Sequence, residues 1–468
     1  MDLRRGRRIE VGVGFQVAVA SLVALGVLVI LDSGMQLWSI WLSISAFMFS
    51  ASLRRLRPAA RRMLTPRGFM FWSGFIGLVV MPAFVTIAGE QTGQLPRLPS
   101  WSAINWSLIW LTVFFLVMCL SSLLVRDAQR ICSTEEVRES DVPSFIYILF
   151  LLVFGAVGAV SRVLMQGGFA TYFSGGGVLL ADANPLLIGL AGFAPPLMTA
   201  GALLLWQRLE VHGRSTRLTR ACVILLALLP MTTYSYNRGA VVYTALCLVA
   251  VLASLRASRP IRVAFGVTVV AVAALLFGFF RASVINGVEY SDGFDVFAVI
   301  QTYGNAPQFG AFAVESSQSR FPGGTPIASA LAPLPLLGTD YRAVSGTRLY
   351  NTFIYPQGQA SDQILRFDVE VLLSWGLPGL IAMAMVIGLC VGKLEQLFQE
   401  SRTVYRRYYA AFAGFVLTAT MWLSVQVVSQ LIIYFVIPGV VAISLMRGTG
   451  LVSKAVTSNG GRVKRVRN

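Results

Sequence analysis

Apolar residues in this chain fall in runs of sixteen to twenty-two, repeated along most of its 468 positions. No other feature restricts the fold as strongly. A helix of about 20 apolar residues, rising 1.5 Å per residue, spans the ~30 Å hydrocarbon core of a bilayer. Within that core each backbone N–H and C=O must bond inside its own segment, so the runs are predicted helices. With 56% hydrophobic and 13% charged residues, the chain reads as an all-α polytopic membrane protein rather than as about three soluble domains. The predicted spans lie near 11–31, 35–53, 68–88, 104–125, 144–165, 186–206, 221–236, 240–255, 263–280, 371–391, 408–424 and 427–446, about twelve in all.

The net charge of +17 follows this topology. The N-terminal tail, the loops after even-numbered spans and the C-terminal tail hold 30 of the 38 Lys and Arg residues. Cytoplasmic loops carry such an excess, so both termini are expected in the cytoplasm and nucleic acid is not an expected partner. Arg4, Arg5, Arg7 and Arg8 precede an apolar run of about twenty residues with no clear small-residue cleavage site, which favours an uncleaved first span over a signal peptide. The uncharged stretch from Tyr408 to Met446 is expected to be two helices with a turn near Ser424–Gln426, because one helix would export the basic tail. None of the five cysteines maps to an outer loop, so no disulfide framework and no CxxC metal spacing are expected.

The chain then divides into 1–280 (nine spans), 281–367 (one long extracytoplasmic loop between spans 9 and 10), 368–446 (three spans) and 447–468 (a basic cytoplasmic tail). The long loop is rich in Gly, Pro and aromatics and suits a lid of turns and short helices; loops of this length are usually functional. A second unusual place is Tyr234-Ser-Tyr-Asn-Arg-Gly239, which splits the apolar stretch 221–255 into two short halves. That places Arg238 just below the outer surface, where an arginine is costly and is a functional-site candidate, with snorkelling to headgroups as the alternative.

The cytoplasmic loops offer no Gly-rich phosphate cradle, so nucleotide chemistry on that face is not expected. The single histidine, His212, lies in a cytoplasmic loop, so outer-face chemistry must run without imidazole. The outer side instead carries arginines: Arg162, Arg238 and Arg281 at the outer ends of spans 5, 7 and 9, and Arg342, Arg348 and Arg366 in the long loop. Guanidinium forks match phosphate oxygens, so these are candidate pyrophosphate ligands, against ordinary headgroup anchoring as the alternative. Aromatics such as Tyr350 could stack on sugar faces or serve as loop core. Candidate bases are Asp368 and Glu370 at the entry to span 10, where a carboxylate also suits the helix macrodipole. The pair Asp292 and Asp295 is a weaker candidate for a divalent ion.

Twelve-odd spans, two short helices meeting at Asn237-Arg238-Gly239, and a large outer loop before a late helix resemble the Wzy-type polymerases of O-antigen, capsule and exopolysaccharide repeat units. Ala332-Pro-Leu-Pro-Leu336, Asp340-Tyr-Arg342 and Phe367-Asp-Val-Glu-Val-Leu-Leu-Ser-Trp-Gly-Leu-Pro-Gly379 look like the end of that family's long loop and its next helix. The resemblance covers topology throughout and local pattern in 220–260 and 320–395. It implies a glycosyltransferase of the bacterial cytoplasmic (inner) membrane, without cofactor or metal. Growing glycan would pass from undecaprenyl pyrophosphate to the sugar hydroxyl of another lipid-linked repeat unit outside the membrane. The implied partners are that lipid-linked oligosaccharide, membrane lipids and a chain-length regulator.

Three other classes compete. The related O-antigen ligases typically use an outer-face histidine, which is absent here. Transporters and lipid-linked oligosaccharide flippases of the major-facilitator type place their long loop on the cytoplasmic side. Lipid-dependent glycosyltransferases with an acidic motif in the first outer loop need more room than Asp32-Ser-Gly34 gives.

Overall fold

The structure is a computed structural model that describes residues 38–55, 64–83, 99–125, 144–168, 185–234, 238–255, 266, 306–316, 321–334, 338–354 and 365–448. Among the described residues all regular elements are helical. Five stretches are long and apolar enough to cross a membrane: Trp101–Leu124, Phe145–Met165, Ile188–Val211, Phe367–Glu400 and Val425–Met446. Their outward faces are apolar too; Phe145, Ile146, Leu149, Phe150, Val153 and Val157 all stand exposed along one helix. An apolar exterior on long apolar helices is the pattern of a helical membrane protein.

In chain order the first helices are α1 (Ser39–Arg55), α2 (Pro66–Phe75, continued by a π turn Ile76–Val80), α3 (Trp101–Leu124) and α4 (Phe145–Met165). Next come α5 (Pro185–Phe193), α6 (Pro195–Val211), α7 (Arg217–Thr232) and α8 (Arg238–Leu255). The stretch predicted as one long loop contains four short helices: α9 (Ala306–Ser316), α10 (Thr325–Leu331), α11 (Gly338–Ala343) and α12 (Gly346–Ile354). Then follow α13 (Phe367–Glu400), α14 (Val404–Thr418), α15 (Val425–Leu431, continued by a π turn Ile432–Val436) and α16 (Ile437–Gly448). Helices thus cover ten of the predicted spans. Those near 11–31 and 263–280 lie outside the described residues, apart from Gly266.

The boundaries differ from the sequence reading where backbone chemistry intervenes. The sixth span is interrupted at Ala194, because Pro195 and Pro196 have no N–H to continue the ladder. The last two spans separate at a 3-10 turn Ala419–Met421, a few residues before the predicted turn, and Ser424 then caps α15 by accepting from the Val427 N–H. Helix α13 begins four residues before the predicted span and breaks at Gly376, whose φ of 69° lies in the region that favours glycine. Pro378 follows and supplies no donor. The helix is therefore two pieces, 367–375 and 377–400.

Packing is closest where side chains are smallest. An added Cβ on Gly388 would meet the Met118 carbonyl oxygen at 2.3 Å, and one on Gly392 the Ser122 oxygen at 2.7 Å. Gly388-x-x-x-Gly392 thus lets α13 lie against the backbone of α3, the close approach that small residues permit between membrane helices. Buried hydroxyls and amides link other pairs: Ser39 Oγ donates to Asn105 Oδ1 (2.7 Å), and Tyr408 Oη to Thr244 Oγ1 (3.1 Å).

The short helices α9–α12 cap one end of this bundle. Phe312, Phe321 and Tyr350 form their own small core with Leu365, just before α13, and with Val369 and Leu373 in its first turns. The cap is tied to that same segment through the Phe321 N–H to the Leu373 oxygen (3.2 Å) and Trp375 Nε1 to the Gly323 oxygen (2.6 Å).

Candidate functional site

Two polar assemblies sit where the cap meets the bundle, and they are joined by one short stretch, residues 329–334.

The first is built on cations and aromatic rings. Arg162, in the last turn of α4, is half-buried. Its Nε donates to the Thr233 carbonyl (3.2 Å) and its Nη1 to that of Ala191 (3.4 Å). The guanidinium lies 4.0 Å from the centroid of the Tyr234 ring, a cation–π geometry. Tyr234 is buried and donates its hydroxyl to the Gly192 oxygen (2.5 Å). Next to it stands Tyr434, stacked on Phe193 at 4.9 Å and donating its hydroxyl to the Pro333 oxygen at 2.7 Å. Tyr434 is within electrostatic range of both Arg162 and Arg342. Arg342 arrives from the cap on α11, exposed, with Nε bonded to the Ala332 oxygen (3.0 Å). Arg238 opens α8 four residues beyond Tyr234. The Arg238 side chain lies outside the described residues.

Local sequence explains why Tyr434 is where it is. Pro438 has no N–H to give to the Tyr434 carbonyl, and the helix widens into a π turn over Ile432–Val436, a feature frequent at functional sites.

The second assembly is built on buried charge. Arg366, 3% exposed, grips Asp368, 1% exposed, through both carboxylate oxygens: Nε to Oδ1 and Nη2 to Oδ2, each 2.7 Å. Nη2 also reaches the Ser107 hydroxyl on α3 at 3.3 Å. Glu370, 0% exposed, belongs to a different set of neighbours. Its carboxylate faces the Ser329 hydroxyl and the backbone N–H groups of Gly346 and Val425. None of these forms a well-aligned hydrogen bond to it. Gly346 is pressed against it so closely that an added Cβ would lie 2.4 Å from the carboxyl carbon. Gly346 in turn donates its N–H to the Ser329 hydroxyl (2.8 Å).

Ser329 thus faces Glu370, and Ala332 and Pro333, three and four residues later, receive Arg342 and Tyr434. At 1.5 Å per residue these points are about 6 Å apart along the chain. A cation-rich and a carboxylate-bearing wall therefore share one segment of the cap.

The residues singled out in sequence fall into three groups. Arg162 and Arg342 both lie within electrostatic range of Tyr434, and α8 begins at Arg238, four residues after Tyr234. Arg366, Asp368, Glu370 and Tyr350 are enclosed: the first two pair with each other, Glu370 lies under α12, and Tyr350 is packed in the core of the cap with no exposed ring face. Arg348 stands exposed on α12. Arg281, Asp292 and Asp295 lie outside the described residues. Tyr434 and Ser329 were not singled out, and Tyr234 only as the first residue of the 234–239 segment; a tyrosine four residues before a proline in an otherwise apolar span was the available signal for Tyr434.

No family model matches this chain, and neither a curated protein nor a solved structure is significantly similar to it.

Proposed function

We propose that this chain is a polymerase that joins undecaprenyl-pyrophosphate-linked oligosaccharide repeat units on the extracytoplasmic face of a bacterial cytoplasmic membrane. In this arrangement the twelve spans leave the helical cap α9–α12 outside, as the distribution of basic residues implies. The observation that carries the reading is the segment 329–334, which brings Arg342 and Tyr434 to one side and Glu370 to the other.

The reaction needs both walls. The acceptor sugar hydroxyl forms a bond to the anomeric carbon of the donor glycan, and the bond from that carbon to the pyrophosphate oxygen breaks. Negative charge develops on the departing pyrophosphate. Arg162, held in place by two carbonyls and the Tyr234 ring, and Arg342 from the cap stabilise it. Donors fixed in advance are worth most where charge appears. The hydroxyl proton goes to a carboxylate. Asp368 is committed to Arg366, whereas Glu370 faces the Ser329 hydroxyl and the backbone N–H groups of Gly346 and Val425 and has no ion pair among the described residues. A buried carboxylate without a cationic partner is a candidate general base. Glu370 acts as the base once α12, with Gly346, moves off it. Free polyprenyl pyrophosphate and a glycan longer by one unit are the products.

The test is purified, reconstituted protein supplied with a lipid-linked repeat unit. A ladder of lengthening glycans is expected, and Arg162→Ala and Arg342→Ala should each lower its rate at least 10²-fold, the scale seen when an oxyanion donor is removed. Transfer of the unit across the bilayer with no new glycosidic bond would make the chain a transporter and overturn the proposal.

A further inference from the structure

A cavity of about 350 Å³ lies directly beside the two assemblies. Its upper wall is the cap helix α10, through Pro326, Ile327, Ala330 and Leu331. Below, it runs along α13 from Phe367 and Trp375, past the break at Gly376, to Met383, Val386, Ile387 and Cys390. Leu417, Val425 and Ser429 close the far side. From Leu377 to Cys390 a helix rises about 20 Å, so the groove descends a large part of a bilayer leaflet.

The wall offers an occupant almost nothing polar to bind. Ser429 Oγ donates to the Val425 oxygen at 2.8 Å, and Trp375 Nε1 to the Gly323 oxygen at 2.6 Å. The groove lies on an exposed, apolar side: Ile327 and Val386 are each more than half exposed. What fits a groove of this kind, within a membrane-spanning helix, is hydrocarbon.

Its upper end distinguishes it from a bare lipid-facing surface. Leu331 is followed directly by Ala332 and Pro333, the acceptors for Arg342 and Tyr434. Val425 lines the groove and its N–H faces Glu370. A hydrocarbon chain in the groove would therefore carry its head group to the arginines, and an anionic head is the complement of Arg162 and Arg342. We propose that this groove, from Leu331 to Cys390, binds the isoprenoid chain of a polyprenyl phosphate lipid, with the phosphate end held at the Arg162–Arg342 cluster. This rests on the polymerase reading for the identity of the lipid, and on the groove and its charged mouth for the place.

The two can be tested apart. The full-length protein, with p-benzoylphenylalanine at position Met383, is placed in phosphatidylglycerol nanodiscs containing undecaprenyl phosphate and irradiated. The control carries the same group at Val153, which is exposed on α4 away from the groove. Mass spectrometry is expected to find the undecaprenyl phosphate adduct at Met383 at least tenfold above Val153. Filling the groove with Ala330→Phe is expected to remove that enrichment in a protein whose melting temperature is unchanged. Equal adducts at both positions, or phospholipid adducts only, would overturn the groove as the carrier's site, even if polymer forms. Enrichment at Met383 in a protein that makes no glycosidic bond would uphold the groove and overturn the polymerase reading instead.

Discussion

Arg366 and Asp368 are two residues apart, buried, and locked together with Ser107 from a helix more than 250 positions away in sequence. In sequence the same arginine reads as a phosphate ligand and the same aspartate as a base, because charge at a loop–helix junction is all that one chain reveals. The pairing depends on α3, and no local pattern points to it. Removing one partner leaves the other charged and enclosed, which costs about 3–5 kcal/mol, whereas replacing both with apolar groups of similar size is close to neutral. Arg366→Ala is therefore expected to lower the melting temperature of the detergent-solubilised protein sharply, and Arg366→Met with Asp368→Leu to restore most of it. If Arg366→Ala melts like the parent, the pair contributes nothing to the fold. Arg162 was legible as a functional candidate because it ends a span, but its ring partner Tyr234 and the neighbouring Tyr434 were not, since contacts between three separate helices determine them.

Helices were the most legible level. Length and apolarity located helices at each described span, five of them long enough to cross a membrane, although the helix predicted to end near 391 runs on to Glu400; other departures occur at Pro195, Gly376 and Ser424, where proline, glycine and a cap change the backbone hydrogen bonding. The short helices α9–α12 were legible only as a composition suited to turns, because none is long enough to impose a clear period. Interfaces between helices were hidden. The face Gly388–Gly392 acquires meaning only once α3 lies on it with the Met118 oxygen in the place a Cβ would take. Backbone cannot yield there as a flexible side chain would, so Gly388→Leu should force α3 and α13 apart. A loss of at least 1–3 kcal/mol, the usual cost of overpacking, is expected in unfolding assays, with reduced yield from membranes. Gly189, which has open space where a Cβ would stand, is the control; Gly189→Ala should leave stability within about 0.5 kcal/mol.

At the scale of the whole molecule, a bundle with apolar outer faces carries a cap of short helices at one end, and both polar assemblies lie beneath that cap. The distribution of basic residues is the basis for proposing that the capped end faces the extracytoplasmic side. In a background with its five cysteines replaced, Thr339→Cys on α11 and Arg402→Cys after α13 place exposed thiols at opposite ends. An impermeant maleimide applied to intact cells should label the first and spare the second; the reverse pattern would invert the topology. Glu370 is the proposed proton acceptor, and the polymerase proposal is tested most directly there. Its decisive measurement is the rate of polyprenyl pyrophosphate release per glycosidic bond formed by purified protein and by Glu370→Gln. The substitution keeps the size of the side chain, so melting should be unchanged. Release is expected at one per bond in the parent and about 10²–10⁴-fold slower in the variant. A Glu370→Gln protein that turns over at the parental rate would contradict the account.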